Sequence, residues 1–220
     1  MKTFFCILMM TVVLISTGCR KENSGSADAN RYISMTALEQ SLSPLPISVG
    51  FDVDDTVLFS SPGFYYALHN SDGPDGANKY GDIPLRTYAF WYDMNSRYDR
   101  FSIPKQIALD LIALHKKRGD RIYFITARRA TSNEFLTTTL TNTFNLPDNA
   151  PVIFTGRDPK SGPIKAHGIS LFYGDSDGDI SAAHQAGIRA IRILRSPLST
   201  NSRLPVPGKF KEEILEDSTN

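Results

Sequence analysis

Short apolar stretches alternate with amphipathic segments along most of this chain. Stretches rich in β-branched and aromatic residues predict buried strands; they cover residues 47–53, 121–126, 152–154, 170–173 and 190–194. Helical spacing of apolar residues predicts the intervening helices, over residues 104–119, 132–144 and 180–186, with a further short helix over 35–42. Five strands separated by helices indicate an α/β fold, in which right-handed crossovers join a parallel sheet covered by helices on both faces.

One long segment interrupts this alternation. Residues 59–102 are rich in Asn, Gly and aromatic side chains, among them Phe64, Tyr66 and Trp91. A connection of this length usually forms a lid or an inserted subdomain, although the aromatic residues would also suit a satellite packing cluster. Its position directly after the first strand favours a cap, at about residues 60–102, because that strand ends at the ligand-binding edge of such sheets.

The N-terminal residues have the pattern of a targeting segment. Lys2 precedes an apolar run over residues 4–15, which is too short to span a bilayer but suits the core of a signal peptide. The run leads to Cys19, and this small-small-Cys ending resembles a bacterial lipobox, although Ser16 stands where Leu is usual. The alternative is ordinary cleavage after residues 27–29. We therefore expect a signal peptide of the lipoprotein type over residues 1–19.

Composition sets limits on the rest of the chain. Residues 20–45 begin with charged and small polar residues, which predict a tether and an N-terminal segment. We expect the core to cover residues 46–195 and a C-terminal arm to cover residues 196–220. Cys6 and Cys19 are the only cysteines, so the folded part has no disulfide and no thiol for catalysis or zinc. The net charge of +1 gives no global field that would attract a nucleic acid polymer.

Polar side chains follow three of the predicted strands at the points where they end. They are Asp52, Asp54 and Asp55 after the first strand, Thr126 and Arg128 after the second, and Asp175, Asp177 and Asp179 after the fourth. Ligands of open α/β sheets bind at the carboxyl ends of the strands, so these groups can converge. Clustered carboxylates need a cation to stay ionised, and an all-oxygen set without His or Cys favours magnesium.

Each of these groups also has a structural interpretation. An Asp at a strand end commonly caps a turn or a helix, and we assign Asp177 to capping. The alternating aspartates from Asp175 also resemble the start of a calcium-binding EF-hand loop. Ile180 stands where that loop needs Gly and Ala186 where it needs Glu, so the EF-hand interpretation fails. His115, His167 and His184 are expected to be structural or exposed.

Taken together, these motifs resemble the class B acid phosphatases of the haloacid dehalogenase-like superfamily. The segment from Phe51 reads Phe-Asp-Val-Asp-Asp-Thr-Val-Leu-Phe-Ser-Ser-Pro-Gly-Phe and resembles the first motif of that family. The resemblance continues through residues 101–105, 126–128, 151–154, 172–180 and 191–195, and so covers most of the chain from about residue 47. It implies a Rossmann-like core with a small cap inserted after the first strand.

The resemblance also implies roles for the acidic residues. Asp52 would attack phosphorus and form an aspartyl-phosphate. Asp54 would protonate the leaving oxygen and then activate water, while its backbone carbonyl binds the metal. Asp175 would be a further ligand of one Mg²⁺ per subunit, and Asp179 an outer carboxylate that orients metal-bound water. Asp55 is left as structural support.

Substrate-binding roles follow in the same way. Thr126 and the backbone N–H of Ala127 would hold phosphoryl oxygens, although the family usually has Gly where this chain has Ala127. Lys160 has the spacing of the family's catalytic lysine, and Lys165 is a competitor. Arg128 matches an arginine near the substrate, with a surface salt bridge as its structural alternative. The aromatic residues Phe64, Tyr66 and Trp91 would line a pocket or pack the cap.

The sequence therefore predicts an exported, magnesium-dependent acid phosphatase that hydrolyses nucleotides and other small phosphate monoesters. The alternatives are phosphotransfer through the same intermediate and a lipid-anchored binding protein without catalysis. The expected location is the bacterial periplasm, with membrane attachment only through Cys19. The resemblance further implies a homotetramer.

Overall fold

The computed structural model describes residues 31–201 and 203–220. The predicted signal peptide, Cys19 and the start of the tether lie outside the described residues. The strands are β1 (Tyr32–Ile33), β2 (Ser48–Phe51), β3 (Leu58–Phe59), β4 (Ile103–Pro104), β5 (Arg121–Thr126), β6 (Ile153–Phe154), β7 (Leu171–Gly174), β8 (Arg189–Arg192) and β9 (Glu213–Leu215). The α-helices are α1 (Met35–Ser41), α2 (Ser61–His69), α3 (Tyr88–Ser96), α4 (Gln106–Arg118), α5 (Leu136–Phe144), α6 (Ser161–Ala166) and α7 (Asp177–Ala186). None of these helices combines the length and apolar character needed to cross a membrane.

The central sheet has seven strands in the order β1-β9-β8-β7-β2-β5-β6, and every pair is parallel. The predicted α/β class is confirmed, and the five predicted strands correspond to β2, β5, β6, β7 and β8. The predicted strand count is wrong, because β1 and β9 extend one edge of the sheet. Each has only two or three residues, too few for strand periodicity to show in the sequence.

Two hydrophobic clusters cover the two faces of the sheet. Successive side chains of β5 alternate between them, with Phe124 in one and Ile125 in the other. Helices α1, α4 and α5 contribute to the first cluster, and α6 and α7 to the second. The core therefore holds the strands rigidly and leaves their carboxyl ends free to carry polar groups.

The inserted segment is a small helical cap. Strands β3 and β4 pair in an antiparallel ribbon at its two ends, so the cap leaves and re-enters the core at one place. Within it, α2, α3 and three short 3-10 helices enclose their own hydrophobic cluster; its buried members are Ala67, Tyr80, Phe90, Trp91, Met94 and Tyr98. A hydrogen-bonded pair, Tyr80 to Asp93 at 2.8 Å, lies inside this cluster. The aromatic residues therefore pack the cap, and some of them also face the site described next.

Candidate active site

Asp52 lies at the carboxyl end of β2, in the centre of the sheet. Its backbone N–H donates to the carbonyl of Tyr173 at 2.9 Å, so the residue is held by the neighbouring strand β7. The carboxylate is buried and accepts a hydrogen bond from the Thr56 hydroxyl at 3.1 Å. The same hydroxyl lies 3.3 Å from a carboxylate oxygen of Asp175, which links the two strand ends.

Lys160 lies between two of the aspartates. Its Nζ donates to Asp179 Oδ1 at 2.6 Å and also bonds Asp52 Oδ1. The side chain is 7% exposed, and the pKa of Lys160 is raised because attraction by Asp179 and Asp52 outweighs the cost of burial. Lys165, the competing lysine of the sequence, is exposed on α6. Of the two, the structure brings Lys160 to the site.

The junction of β7 and α7 places Asp175 and Asp179 together. Ser176 caps α7, and Asp179 completes a capping box by accepting from the Ser176 N–H at 3.0 Å. The predicted capping role of Asp177 is wrong, because its side chain instead pairs with Arg192 at 3.1 Å and Lys209 at 2.8 Å. Gly174 permits the close approach, since a Cβ there would lie 2.2 Å from the Cβ of Asp179.

Three carboxylates form a cluster suited to a metal ion. Asp52, Asp175 and Asp179 each offer an oxygen, and these oxygens lie within 4.8 Å of one another. Burial, followed by repulsion from Asp179, raises the pKa of Asp52 and raises that of Asp175 to about 6, although Lys160 and Arg195 oppose the shift. Burial and mutual repulsion therefore outweigh the positive charge of Lys160 and Arg195, and a further cation would stabilise the ionised cluster. Its all-oxygen donor set fits Mg²⁺, which binds through carboxylates and keeps several waters.

The carboxylate of Asp54 lies outside this cluster, and the predicted metal ligand at this residue is its backbone carbonyl. Its carboxylate turns toward Arg128, which binds it at 2.7 and 3.0 Å, and toward the Ser60 hydroxyl at 2.6 Å. Burial alone would raise the pKa of Asp54, but the charge and hydrogen bonds of Arg128 lower it. A metal-binding role would therefore fall to its backbone carbonyl, as the family resemblance implies.

Arg128 is a buried link between the core and the cap. Besides Asp54 it binds Asp99 of the cap at 2.6 and 2.8 Å, and its side chain is 1% exposed. The alternative that Arg128 forms a surface salt bridge is therefore wrong. A guanidinium can satisfy two carboxylates at once because it has five donors in a planar fork.

The loop after β5 carries Thr126 and Ala127. The Thr126 hydroxyl accepts from the Arg128 N–H at 3.2 Å and lies 3.4 Å from Asp54 Oδ2, so it belongs to the same network. Ala127 is exposed and faces the cavity described below. It is not among the described residues with positive φ, so its methyl group causes no left-handed strain.

These groups open onto one cavity of about 580 Å³. Phe64 and Trp91, two of the three predicted pocket residues, line it together with Leu68 and Leu85 of the cap. The assignment of Tyr66 to the pocket is wrong. Its ring packs edge-on against Tyr98 at 5.1 Å and is 46% exposed on the outside of the cap.

Sequence reasoning missed several residues that the structure places at the site. Arg195 bonds Asp175 Oδ2 and lines the cavity, and Asp99 anchors Arg128. Arg192 donates to the Asp175 carbonyl at 2.8 Å and pairs with Glu212 at 2.7 Å. Arg192 and Arg195 both fall in the motif at 191–195, but nothing in that motif gives their partners. Asp99 has no motif of its own.

This chain matches a known family over most of its length. The model of the HAD superfamily, subfamily IIIB (acid phosphatase) matches residues 14–200. A class B acid phosphatase from Citrobacter rodentium is 47% identical over 85% of this chain and 79% of its own length. One from Xenorhabdus bovienii is 43% identical over 91% of this chain and 85% of its own length. The chain belongs to this acid phosphatase family.

Solved structures show the same fold at low identity. A haloacid dehalogenase-like hydrolase from Streptococcus pneumoniae aligns with a TM-score of 0.53 and 13% identity, over 79% of this chain and 94% of its own. A predicted phosphoglycolate phosphatase from Haemophilus somnus aligns with a TM-score of 0.52 and 18% identity, over 80% of this chain and 96% of its own.

Proposed function

We propose that this acid phosphatase hydrolyses phosphate monoesters with Asp52 as nucleophile and with Mg²⁺ as cofactor. The observation that carries the proposal is the buried contact of Lys160 with both Asp52 and Asp179, beside Asp175 and at the floor of an open cavity. A phosphoryl group placed there meets a carboxylate nucleophile and a fixed cation at once.

The first step forms a bond between an Asp52 oxygen and phosphorus while the bond from phosphorus to the ester oxygen breaks. Lys160 would balance charge on the phosphoryl oxygens, and Thr126 with the Ala127 N–H would orient them. Mg²⁺, which Asp52, Asp175 and the Asp54 carbonyl would hold with Asp179 as an outer carboxylate, would supply further positive charge for phosphoryl transfer. A water molecule then attacks phosphorus, releases inorganic phosphate and restores Asp52.

Asp54 is the acid–base group of this scheme. It would give a proton to the departing ester oxygen and later take one from the attacking water. Arg128 lowers the pKa of Asp54, and this favours the ionised form that activates water. Proton donation needs the protonated form of Asp54. Acidic conditions should therefore favour formation of the aspartyl-phosphate, and neutral conditions its hydrolysis.

The cavity supports an organic leaving group with an apolar surface. Phe64, Leu68, Leu85 and Trp91 form an apolar wall on the cap side of the site. Aromatic rings of this kind pack well against flat groups, such as the base of a nucleotide or an aryl ring. We therefore include nucleotides among the proposed substrates.

Location and assembly are further parts of the proposal. The apolar run over residues 4–15, which Cys19 follows, supports export to the periplasm, and a lipid anchor is favoured over ordinary cleavage. Mass spectrometry of the mature N-terminus should find a lipidated Cys19, and a free N-terminus beyond it would contradict anchoring. The resemblance supports a homotetramer, which light scattering of the purified protein would test.

The nucleophile is tested by Asp52→Asn. Because an amide cannot attack phosphorus as a carboxylate does, we expect hydrolysis of p-nitrophenyl phosphate with Mg²⁺ to fall by about 10³-fold or more. EDTA should abolish wild-type activity, and added Mg²⁺ should restore it. Asp177→Asn is the matched control, because Asp177 is the first residue of α7, close to the site, but is paired with Arg192 and Lys209. Full activity of folded Asp52→Asn would contradict the role of Asp52, and an inactive wild type would favour a binding protein.

A further inference from the structure

A second cavity lies beside the proposed phosphatase site. It has a volume of about 330 Å³ and shares four lining residues with the first cavity: Leu85, Trp91, Ala127 and Arg157. Ala127 directly follows Thr126, the proposed phosphoryl-binding residue. The second cavity therefore begins next to the position at which the reacting phosphoryl group would bind.

All the charged residues that line this second cavity are arginines. Arg86, Arg129 and Arg157 face it, and no carboxylate does. All three arginines are exposed, and within residues 31–201 and 203–220 none of their guanidinium groups has a hydrogen bond or ion pair. Asp158 lines the first cavity but not the second. Three cations converge here without the acidic partners that Arg128, Arg192 and Arg195 each have.

The backbone that carries two of these arginines is fixed to the active-site loop. Gly156 N–H donates to the Arg128 carbonyl at 3.0 Å, and Thr155 N–H donates to the Thr126 carbonyl at 2.9 Å. On the other side, the Asn95 side chain donates to the Arg129 carbonyl at 3.0 Å. The loops of Arg129 and Arg157 are therefore held at a set position relative to Thr126.

We propose that Arg86, Arg129 and Arg157 form a second anion subsite, and that the enzyme prefers phosphate monoesters carrying a second phosphate group. Guanidinium groups bind phosphate through paired, charge-assisted hydrogen bonds. The shared wall of Leu85 and Trp91 would contact the organic part between the two phosphates. This inference rests on the proposed phosphatase function, since it assigns the reacting phosphate to Asp52.

Substrate selectivity tests the subsite. The probes are adenosine 3′,5′-bisphosphate and adenosine 5′-monophosphate, and the readout is the ratio of their kcat/KM values. We expect a ratio above one for the wild type. In the double variant Arg129→Gln, Arg157→Asn the ratio should fall about tenfold, because each exposed charge pair contributes modestly. Asn is chosen at 157 because it tolerates the positive φ of that residue.

The matched control removes two positive charges elsewhere. In Lys117→Gln, Arg121→Gln, both side chains are exposed at the opposite end of the sheet, where β5 begins. This control should keep the wild-type ratio. An unchanged ratio in the Arg129, Arg157 variant, or a wild-type ratio of one or less, would overturn the subsite.

A binding experiment separates this inference from the proposed function. In the Asp52→Asn background, calorimetry with adenosine 3′,5′-bisphosphate should show tighter binding than with the monophosphate, and the added Arg129 and Arg157 substitutions should remove the difference. Equal binding of the two probes would overturn the subsite. If the wild type hydrolyses no monoester, the phosphatase proposal fails, but the binding difference still reports on the arginines.

Discussion

Arg128 sets the charge of the proposed acid–base group. It binds Asp54 and Asp99 through two pairs of hydrogen bonds and is itself buried. A buried ion pair is costly to break because the remaining charge loses its compensation. Asp54 is therefore held ionised by a partner that the cap keeps in place through Asp99.

The role of Asp54 predicts a dependence on the leaving group. In Asp54→Asn, hydrolysis of an alkyl phosphate such as glycerol phosphate should fall by about 10²–10⁴-fold, because an alkoxide leaves poorly without a proton. Hydrolysis of p-nitrophenyl phosphate should fall less, because nitrophenolate leaves well unprotonated. Steady-state kcat/KM for both substrates on the same preparation provides the comparison. Equal losses of kcat/KM for the two substrates would contradict a proton-donor role. They would indicate that Asp54 serves only to position Arg128.

At the scale of elements, the turn from β7 to α7 determines the geometry of the carboxylate cluster. The strand ends at Gly174, the Ser176 cap begins the helix, and Asp179 in the first helical turn reaches back to Lys160. One residue thus serves both the capping box and the cluster. The conformation of this turn therefore also positions Asp179 in the carboxylate cluster.

Gly174→Ala tests this coupling. The new Cβ would meet Asp179 Cβ at 2.2 Å, so α7 must shift, and overpacking of this kind costs about 1–3 kcal/mol of unfolding free energy. We also expect weaker Mg²⁺ binding by calorimetry. Gly178→Ala is the control, because its Cβ would meet only the Ser176 hydroxyl at 3.5 Å. Similar stability and Mg²⁺ affinity in both variants would contradict the coupling.

The sequence was most informative where one local signal determines the structure. The interior strands and Asp52, Asp175 and Asp179 follow from apolar runs that end in carboxylates, whereas Lys160 was placed near the cluster by the family resemblance. Arg128 and Asp99 are 29 residues apart in the chain, and their contact depends on how the cap docks on the core. No local sequence pattern encodes this contact. Strands β1 and β9 form because β9 pairs with β8 and β1 pairs with β9, so neither has a signal alone.

For the whole molecule, a buried histidine links stability to pH. His115 of α4 contacts Asp120 through Nδ1 at 2.7 Å and the Tyr173 hydroxyl through Nε2 at 3.0 Å. The neutral ring satisfies both partners if Nδ1 donates to the carboxylate and Nε2 accepts from the hydroxyl. Burial lowers the pKa of His115 from its ordinary value of 6.5, against the opposing effect of Asp120.

This arrangement predicts that acid destabilises the fold. Because the folded pKa of His115 lies below 6.5, the unfolded chain takes up protons first as pH falls through 6.5, and stability is lost. The depressed pKa of Asp120 continues the loss at lower pH. In His115→Asn, which cannot titrate, urea unfolding at pH 7.5 and pH 5 should show lower stability but a smaller difference between the two pH values. The exposed His184→Asn should keep the wild-type difference, and an unchanged difference in His115→Asn would contradict the linkage.

The pairing of β1 with β9 also has an orientational consequence for an anchored enzyme. All seven strands are parallel, so β1 begins at the amino ends of the strands. Asp52 and Asp175 lie at the opposite, carboxyl ends of β2 and β7. The polypeptide preceding residue 31 therefore joins the fold on the side remote from the catalytic cavity. If Cys19 carries a lipid, the anchored segment would join the enzyme at the end opposite to its catalytic cavity, so that attachment would not itself cover the cavity.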